Sequence, residues 1–196
     1  MSKTDFSFQK ATLDGLMLIS PFHFSDKRGS LTKSFEKAIF AAEGIDFSPF
    51  EEMHSCSKAG VLRGLHFQRK YSQNKLVQVI CGAVYDVAVD LRKNSPTFGK
   101  WEAFQLSEEN RLMLYIPKGF AHGFLALRDG TIMNYLMGSY YDPQLDGGIR
   151  WDDPQLSVDW PLDQVSKVIL SEKDMAFPTL EEFLKQYGAL SREDAV

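Results

Sequence analysis

The sequence predicts an all-β domain, an antiparallel barrel or sandwich with a few peripheral helices, and three observations lead there. Segments rich in β-branched and aromatic residues recur through the middle of the chain. Gly, Pro, Asn or Asp separates them at a spacing typical of sandwiches and barrels. Helix-forming stretches are few. The 196 residues fit one domain better than two and suffice to bury a sizeable core. We therefore expect residues 1–196 to form a single unit with a C-terminal helical extension at about 176–196.

In chain order, LMLISPFHF, VLRGLHFQ, KLVQVICGAVYDVAVDLR, WEAFQLS, LMLYIPKGFAHGFLAL and IMNYLMGSYY read as strands. SFEKAIFAAEG reads as a helix stopped by Gly44. In TLEEFLKQYG, Thr179 and Glu182 have the spacing of a capping box and Gly188 suits the end. Both helices are expected on the outside of the sheets, and the polar SREDAV at the end is expected to fray. After Gly82, period-two alternation puts Val84, Asp86, Ala88, Asp90 and Arg92 on one face and Tyr85, Val87, Val89 and Leu91 on the other. The second face is core. The first, with three charges, faces either solvent or a polar cavity.

Composition removes several classes of function. Basic residues number 22 against 26 acidic ones, without a basic tract, so nothing is shaped to hold a nucleic-acid backbone. MSKTDFSFQK lacks the apolar centre of a signal peptide, and no apolar run approaches the roughly 20 residues that span a bilayer. The expectation is a cytoplasmic enzyme without a membrane partner. Cys56 and Cys81 lie in apparent strands, which suggests buried thiols and neither a disulfide framework nor a zinc site.

Two segments carry candidate chemistry. GVLRGLHFQ places Arg63 and His66 in an apolar strand, where burying the arginine calls for a nearby anion. Strict alternation would send the two side chains to opposite faces. A shared site requires a bulge at Gly64, or service to different subunits. In IPKGFAHGF, the P-x-G-x-x-H spacing that ends on His122 resembles the second cupin motif. Metal-binding cupins add two histidines and a glutamate from their first motif, whereas VLRGLHFQ offers His66 alone. Two imidazoles make a poor site for zinc or iron, so we expect a cupin cavity that works without metal.

GVLRGLHFQ, the run from KLVQV to SEEN, IPKGFAHGF, SYYDP, GIRWDDP and LSEKD occur in an order that resembles the deoxythymidine-diphosphate-4-dehydrorhamnose 3,5-epimerase family, over about residues 12 to 175. The resemblance implies a cupin jelly-roll barrel and a homodimer. It also implies action on a nucleotide-diphosphate 4-keto-6-deoxyhexose with neither a metal nor an organic cofactor. Carried over residue by residue, it makes His66 the general base, Asp174 its orienting partner, Tyr135 the proton donor and Lys75 the cation that supports the enolate. Each role suits its residue. A carboxylate fixes the tautomer of an imidazole and raises its basicity. Proton loss beside a ketone puts charge on the carbonyl oxygen, where a fixed cation helps most in the transition state. Taken singly, Tyr135 also reads as a barrel aromatic and Lys75 as an edge-strand lysine. It is their joint order that carries the assignment.

For binding, the same resemblance implies that Arg28, Arg63, His122 and Lys173 surround the diphosphate and sugar, that Tyr141 stacks on the base, and that Asp86 and Asp146 line the site. Arginine suits a diphosphate because its planar fork gives paired hydrogen bonds. The chain departs from the family at Lys33, where an acid is usual, and at Glu51, Glu52 and Met53, where glutamine, an acid and asparagine are usual. Lys33 and a glutamate on facing sides of one pocket could form a new ion pair. These changes suggest another nucleotide carrier or inversion at one carbon only. Two rival readings remain, a metal-dependent cupin enzyme built on His122 and a non-catalytic cupin that binds a nucleotide sugar. The leading one requires the rings of His66 and Tyr135 to share one cavity.

Overall fold

A computed structural model of the chain describes residues 2–190. The N-terminal part forms β1 (Ser2–Thr4), β2 (Ser7–Lys10), β3 (Met17–Ser20), β4 (Phe22–Asp26), β5 (Gly29–Lys33) and the helix α1 (Lys37–Ala42). Pro21, which has no N–H to give a ladder, splits the LMLISPFHF run into β3 and β4. Next come β6 (Glu51–Ser57), β7 (Leu62–Gln68), β8 (Lys75–Cys81) and β9 (Ala83–Asp90), the last two divided at Gly82. They are followed by β10 (Trp101–Ser107), β11 (Met113–Ile116), β12 (Phe120–Ala126), β13 (Thr131–Met137) and β14 (Asp146–Gly148). Two helices close the described chain, α2 (Glu172–Met175) and α3 (Leu180–Tyr187). The fraying expected of SREDAV lies outside the described residues.

Every paired strand is antiparallel to its neighbour. A six-stranded sheet runs β2-β3-β11-β8-β13-β6 and a five-stranded sheet runs β10-β9-β12-β7-β14, while β1, β4 and β5 form a small third sheet. The two large sheets face each other. Val77, Leu114 and Met133 from the first pack against Val84, Ala88 and Phe124 from the second, which is the interior of the expected jelly-roll barrel.

Each large sheet is also covered on its outer face. On the five-stranded sheet, Leu180 and Phe183 of α3 join Trp160 in packing on Val87, Val89 and Leu125. On the six-stranded sheet, Phe40 of α1 packs with Phe47 on Ile19, Leu76 and Met113. Side chains of this size contribute roughly 1.5–3 kcal/mol each when fully buried. The capping box predicted for α3 is present, with Thr179 and Glu182 each serving the other's backbone N–H. Because β9 has the barrel on one side and the α3 layer on the other, both its faces are buried, and Asp86 and Asp90 are 0% exposed. The solvent alternative for that face is thereby excluded. Asp90 is held by Arg92, Ser95 and Thr97, a structural knot.

The thiols correct the sequence reading, since Cys56 and Cys81 are both free and exposed. Cys56 lies on β6, the edge of its sheet, and Cys81 is the last residue of β8, so neither gains the cover given to central strands. Among the described residues no helix is long and apolar enough to cross a membrane.

Candidate active site

A cavity of about 340 Å³ opens between the two large sheets. The six-stranded sheet contributes Met53 and Ser55 from β6, Lys75 from β8, and Tyr135 and Met137 from β13. The five-stranded sheet contributes Arg63, His66 and Gln68 from β7, His122 and Phe124 from β12, and Asp146 from β14. Tyr141 and Lys173, 47% and 53% exposed, complete the rim. His66 and Tyr135 thus enter one cavity from opposing walls, the arrangement on which the leading reading depends.

Arg63 and His66 share the cavity because β7 bulges. On β12, His122 pairs with His66 and Phe124 with Arg63, so Gly123 alone faces both Gly64 and Leu65. The extra residue turns Leu65 outward into the core and leaves His66 facing in. Gly64 is needed there. Its φ is +122°, and a Cβ would stand 2.5 Å from Gly123 Cα and 2.8 Å from the His122 carbonyl oxygen. Arg63 is exposed at the cavity, with its Nε 3.4 Å from Ser57 Oγ, so the burial cost inferred for it does not arise.

His66 Nε2 lies 2.5 Å from Asp174 Oδ1. A carboxylate can only accept, so Nε2 carries the hydrogen and Nδ1 is left as the basic nitrogen. The aspartate is itself held from three sides. Ser171 caps α2 by accepting from the Asp174 N–H and donates its own hydroxyl to Oδ2 at 2.8 Å. The Gly64 backbone supplies a further hydrogen bond. Burial alone would raise the carboxyl pKa, but His66, Ser171 and that N–H together hold it below the usual range. Backbone bonds from Leu62 N to Ile169 O and from Ile169 N to Gly60 O stitch the segment before α2 to the start of β7. The dyad is thus assembled from residues 108 apart in sequence.

On the opposing wall, burial pushes the Tyr135 phenol well above its usual range, and its hydroxyl lies 3.1 Å from Ser55 Oγ. Burial lowers Lys75 to about 8, with Asp86 and Asp146 opposing the fall. His122 is also buried, which lowers its pKa despite the Asp86 carboxylate at 2.9 Å. As a neutral ring it donates Nε2–H to Asp86. Among the described residues no group of three or more His, Cys, Asp or Glu side chains could hold a metal ion. At the rim, Asp146 accepts from the Tyr141 hydroxyl at 3.1 Å and pairs with Lys173.

Five residues predicted for the site lie outside the cavity lining: Asp174 and Asp86 reach it only through His66 and His122, and Arg28, Lys33 and Glu51 lie elsewhere. Arg28 pairs with Asp26 at 2.7 Å and is 79% exposed. Lys33 pairs with Glu36 at 2.8 Å, so the ion pair imagined with Glu51 does not form. Glu51 accepts the Tyr141 backbone N–H at 3.0 Å, and its neighbour Glu52 accepts from Asn134. Of the departures from the family pattern, Met53 alone lines the cavity. Sequence reasoning missed Ser55, Gln68 and Gln73. Gln68 donates to the carbonyls of Tyr71 and Tyr140 and accepts from Asp142 N–H, tying down the loop that carries Tyr141. Only the strand register, which places β6 beside β13, reveals Ser55.

A sequence model of the family described as dTDP-4-dehydrorhamnose 3,5-epimerase matches residues 10–182. A curated protein of that name from Methanothermobacter thermautotrophicus is 50% identical over 178 residues, 91% of this chain and 96% of its own length. The crystal structure of a dTDP-6-deoxy-D-glucose-3,5-epimerase from Legionella pneumophila, in complex with dTDP-4-keto-L-rhamnose, superposes with a TM-score of 0.87. It is 42% identical and covers 90% of this chain and 94% of that one. ChmJ, a 3'-monoepimerase from Streptomyces bikiniensis in complex with dTDP-quinovose, gives a TM-score of 0.85 at 30% identity over 94% and 93%. With its fold, its paired dyads and this likeness taken together, the chain belongs to the dTDP-4-dehydrorhamnose 3,5-epimerase family of isomerases.

Proposed function

We propose that the protein inverts C3 and C5 of a dTDP-linked 4-keto-6-deoxyglucose by removing and returning protons through an enolate. The observation that carries this is the entry of His66 and Tyr135 into one cavity from opposing sheets, with the Lys75 ammonium in the same space. A ketone at C4 acidifies both neighbouring carbons, so one base, one acid and one cation can serve each in turn. Nδ1 of His66 takes the proton, Lys75 stabilises the oxyanion, and Tyr135 returns a proton to the other face. The phenol is fit to donate because burial keeps it protonated. Arg63 and Lys173 serve the diphosphate, and Tyr141 stacks on the base.

Double inversion on a thymidine carrier is favoured because the curated relatives named for it share 40–50% identity with this chain and a solved one 38%, against 30% for the monoepimerase. With Lys33 and Glu51 outside the cavity lining, the motive for another carrier rests on Met53 alone. In this reading the enzyme works in the cytoplasm as a homodimer, and the β4–β5 hairpin, exposed at its turn and along most of β5, brings Arg28 and Lys33 to a neighbouring copy. Incubation with the dTDP, GDP and CDP forms of the 4-keto sugar, followed by NMR, tests this. Fast inversion of the dTDP form is expected, with the others slower by about tenfold or more. No inversion with any carrier overturns the reading.

A further inference from the structure

Double inversion raises a problem of proton supply. Tyr135 holds one proton, and two carbons need one each while the sugar occupies the cavity. Once the first has been given up, the phenolate must be recharged before the second carbon is served. The hydrogen bond at its hydroxyl leads to Ser55 Oγ at 3.1 Å, in the cavity wall at the edge of the six-stranded sheet. Ser55 lies on β6, the edge strand of the six-stranded sheet, and is half-buried between two exposed neighbours, His54 and Cys56.

We propose that Ser55 is the relay that returns a solvent proton to Tyr135 between the two inversions, a role that rests on the double-epimerase reading. The O–H bond of Ser55 breaks as its proton passes to the phenolate oxygen, and Oγ takes a proton from water in the same event. On the facing wall His66, whose side chain is 33% exposed, releases the proton it took from carbon to water. The net change is one solvent hydrogen placed on carbon and one carbon-bound hydrogen lost to solvent, with no change of charge. The hydroxide left in the water is neutralised by the proton that His66 releases, and burial, by raising the affinity of the phenolate for a proton, favours the recharged state. Ser55 acts through Tyr135, which makes it a positioning residue.

The role separates two rates that a purely structural serine would change together. Enzyme in excess is mixed with the dTDP-linked 4-keto sugar in heavy water, quenched at intervals, and the sugar's deuterons are counted by mass spectrometry. Wild type should pass through a singly labelled to a doubly labelled sugar. In Ser55→Ala the first label should arrive at a rate within about threefold of wild type, while the second slows by about tenfold or more, in the range expected for loss of a proton-transfer group. Ser55→Thr, which keeps a hydroxyl, should restore the second rate. Equal slowing of both labels, an unchanged second rate in Ser55→Ala, or no rescue by threonine overturns the relay. A wild-type enzyme that never exceeds one label removes the premise of two inversions in one visit and defeats the relay on that separate ground.

Discussion

Lys75 stands at the start of β8, 7% exposed, and burial draws its ammonium down to about 8 from an ordinary 10.5. Below about 8 the folded chain holds this buried cation at full cost. Between about 8 and 10.5 only the unfolded chain keeps the proton, so this group makes stability rise with pH across that window. Lys75→Met should therefore raise the unfolding free energy at pH 7 by about 2 to 3 kcal/mol in urea titrations while removing activity. The same ionisation predicts that kcat/KM falls above about pH 8, as the enolate loses its cation. In Lys75→Arg, which stays charged, that alkaline limb should move upward; a limb unchanged in the variant would assign it to another group.

At this scale the sequence was most informative for side chains inside long motifs. His66, His122 and Tyr135 share the cavity that their joint motif order implies, whereas Arg28 and Lys33 stand in a motif that says nothing about distance. Ser55 was invisible, since its link to Tyr135 is a cross-strand relation 80 residues apart.

Among elements, β7 bears most on function. Its bulge at Gly64 turns Arg63 and His66 to one side and gives Asp174 a backbone hydrogen bond. Gly64→Ala should destabilise the fold by about 3 kcal/mol or more, because the new Cβ meets backbone on β12 and the residue keeps a positive φ. Thr179→Ala, which removes the cap of α3 far from the cavity, should cost only about 1 kcal/mol and leave turnover unchanged. Denaturant midpoints together with turnover distinguish the two.

The bulge is one of the two ways around strict alternation that the sequence offers, and the hydrophobic strands β7 to β13 are plain from their residues. The strand β6, EEMHSCS, shows itself in the sequence only around Cys56, because without a β-branched side chain its bounds stay unmarked until β13 pairs with it. Short α2 was equally hidden, since its four residues hold together through the Ser171 cap and packing on β7.

For the whole molecule, the architecture is a division of labour between two sheets that meet at one cavity. The five-stranded sheet carries His66 and the His122–Asp86 dyad, with Asp174 brought to His66 by α2, and the six-stranded sheet carries Tyr135 and Lys75. Each sheet is backed by its own apolar layer, and the close-packed side chains between the two sheets set their spacing. No step in this scheme calls on a metal, so dialysis against a strong chelator should leave kcat/KM unchanged; a loss restored by one divalent metal would favour the rival built on His122.

The central claim is that the two walls act on opposite faces of one carbon, and deuterium exchange in heavy water tests it most directly when stereochemistry is read alongside. Wild type should place deuterium at C3 and C5 with inversion. His66→Asn should reduce exchange at both carbons by about a thousandfold. Tyr135→Phe, which keeps the base, should still exchange but return the deuteron without inverting. Normal inversion by Tyr135→Phe, or undiminished exchange by His66→Asn, would contradict the account.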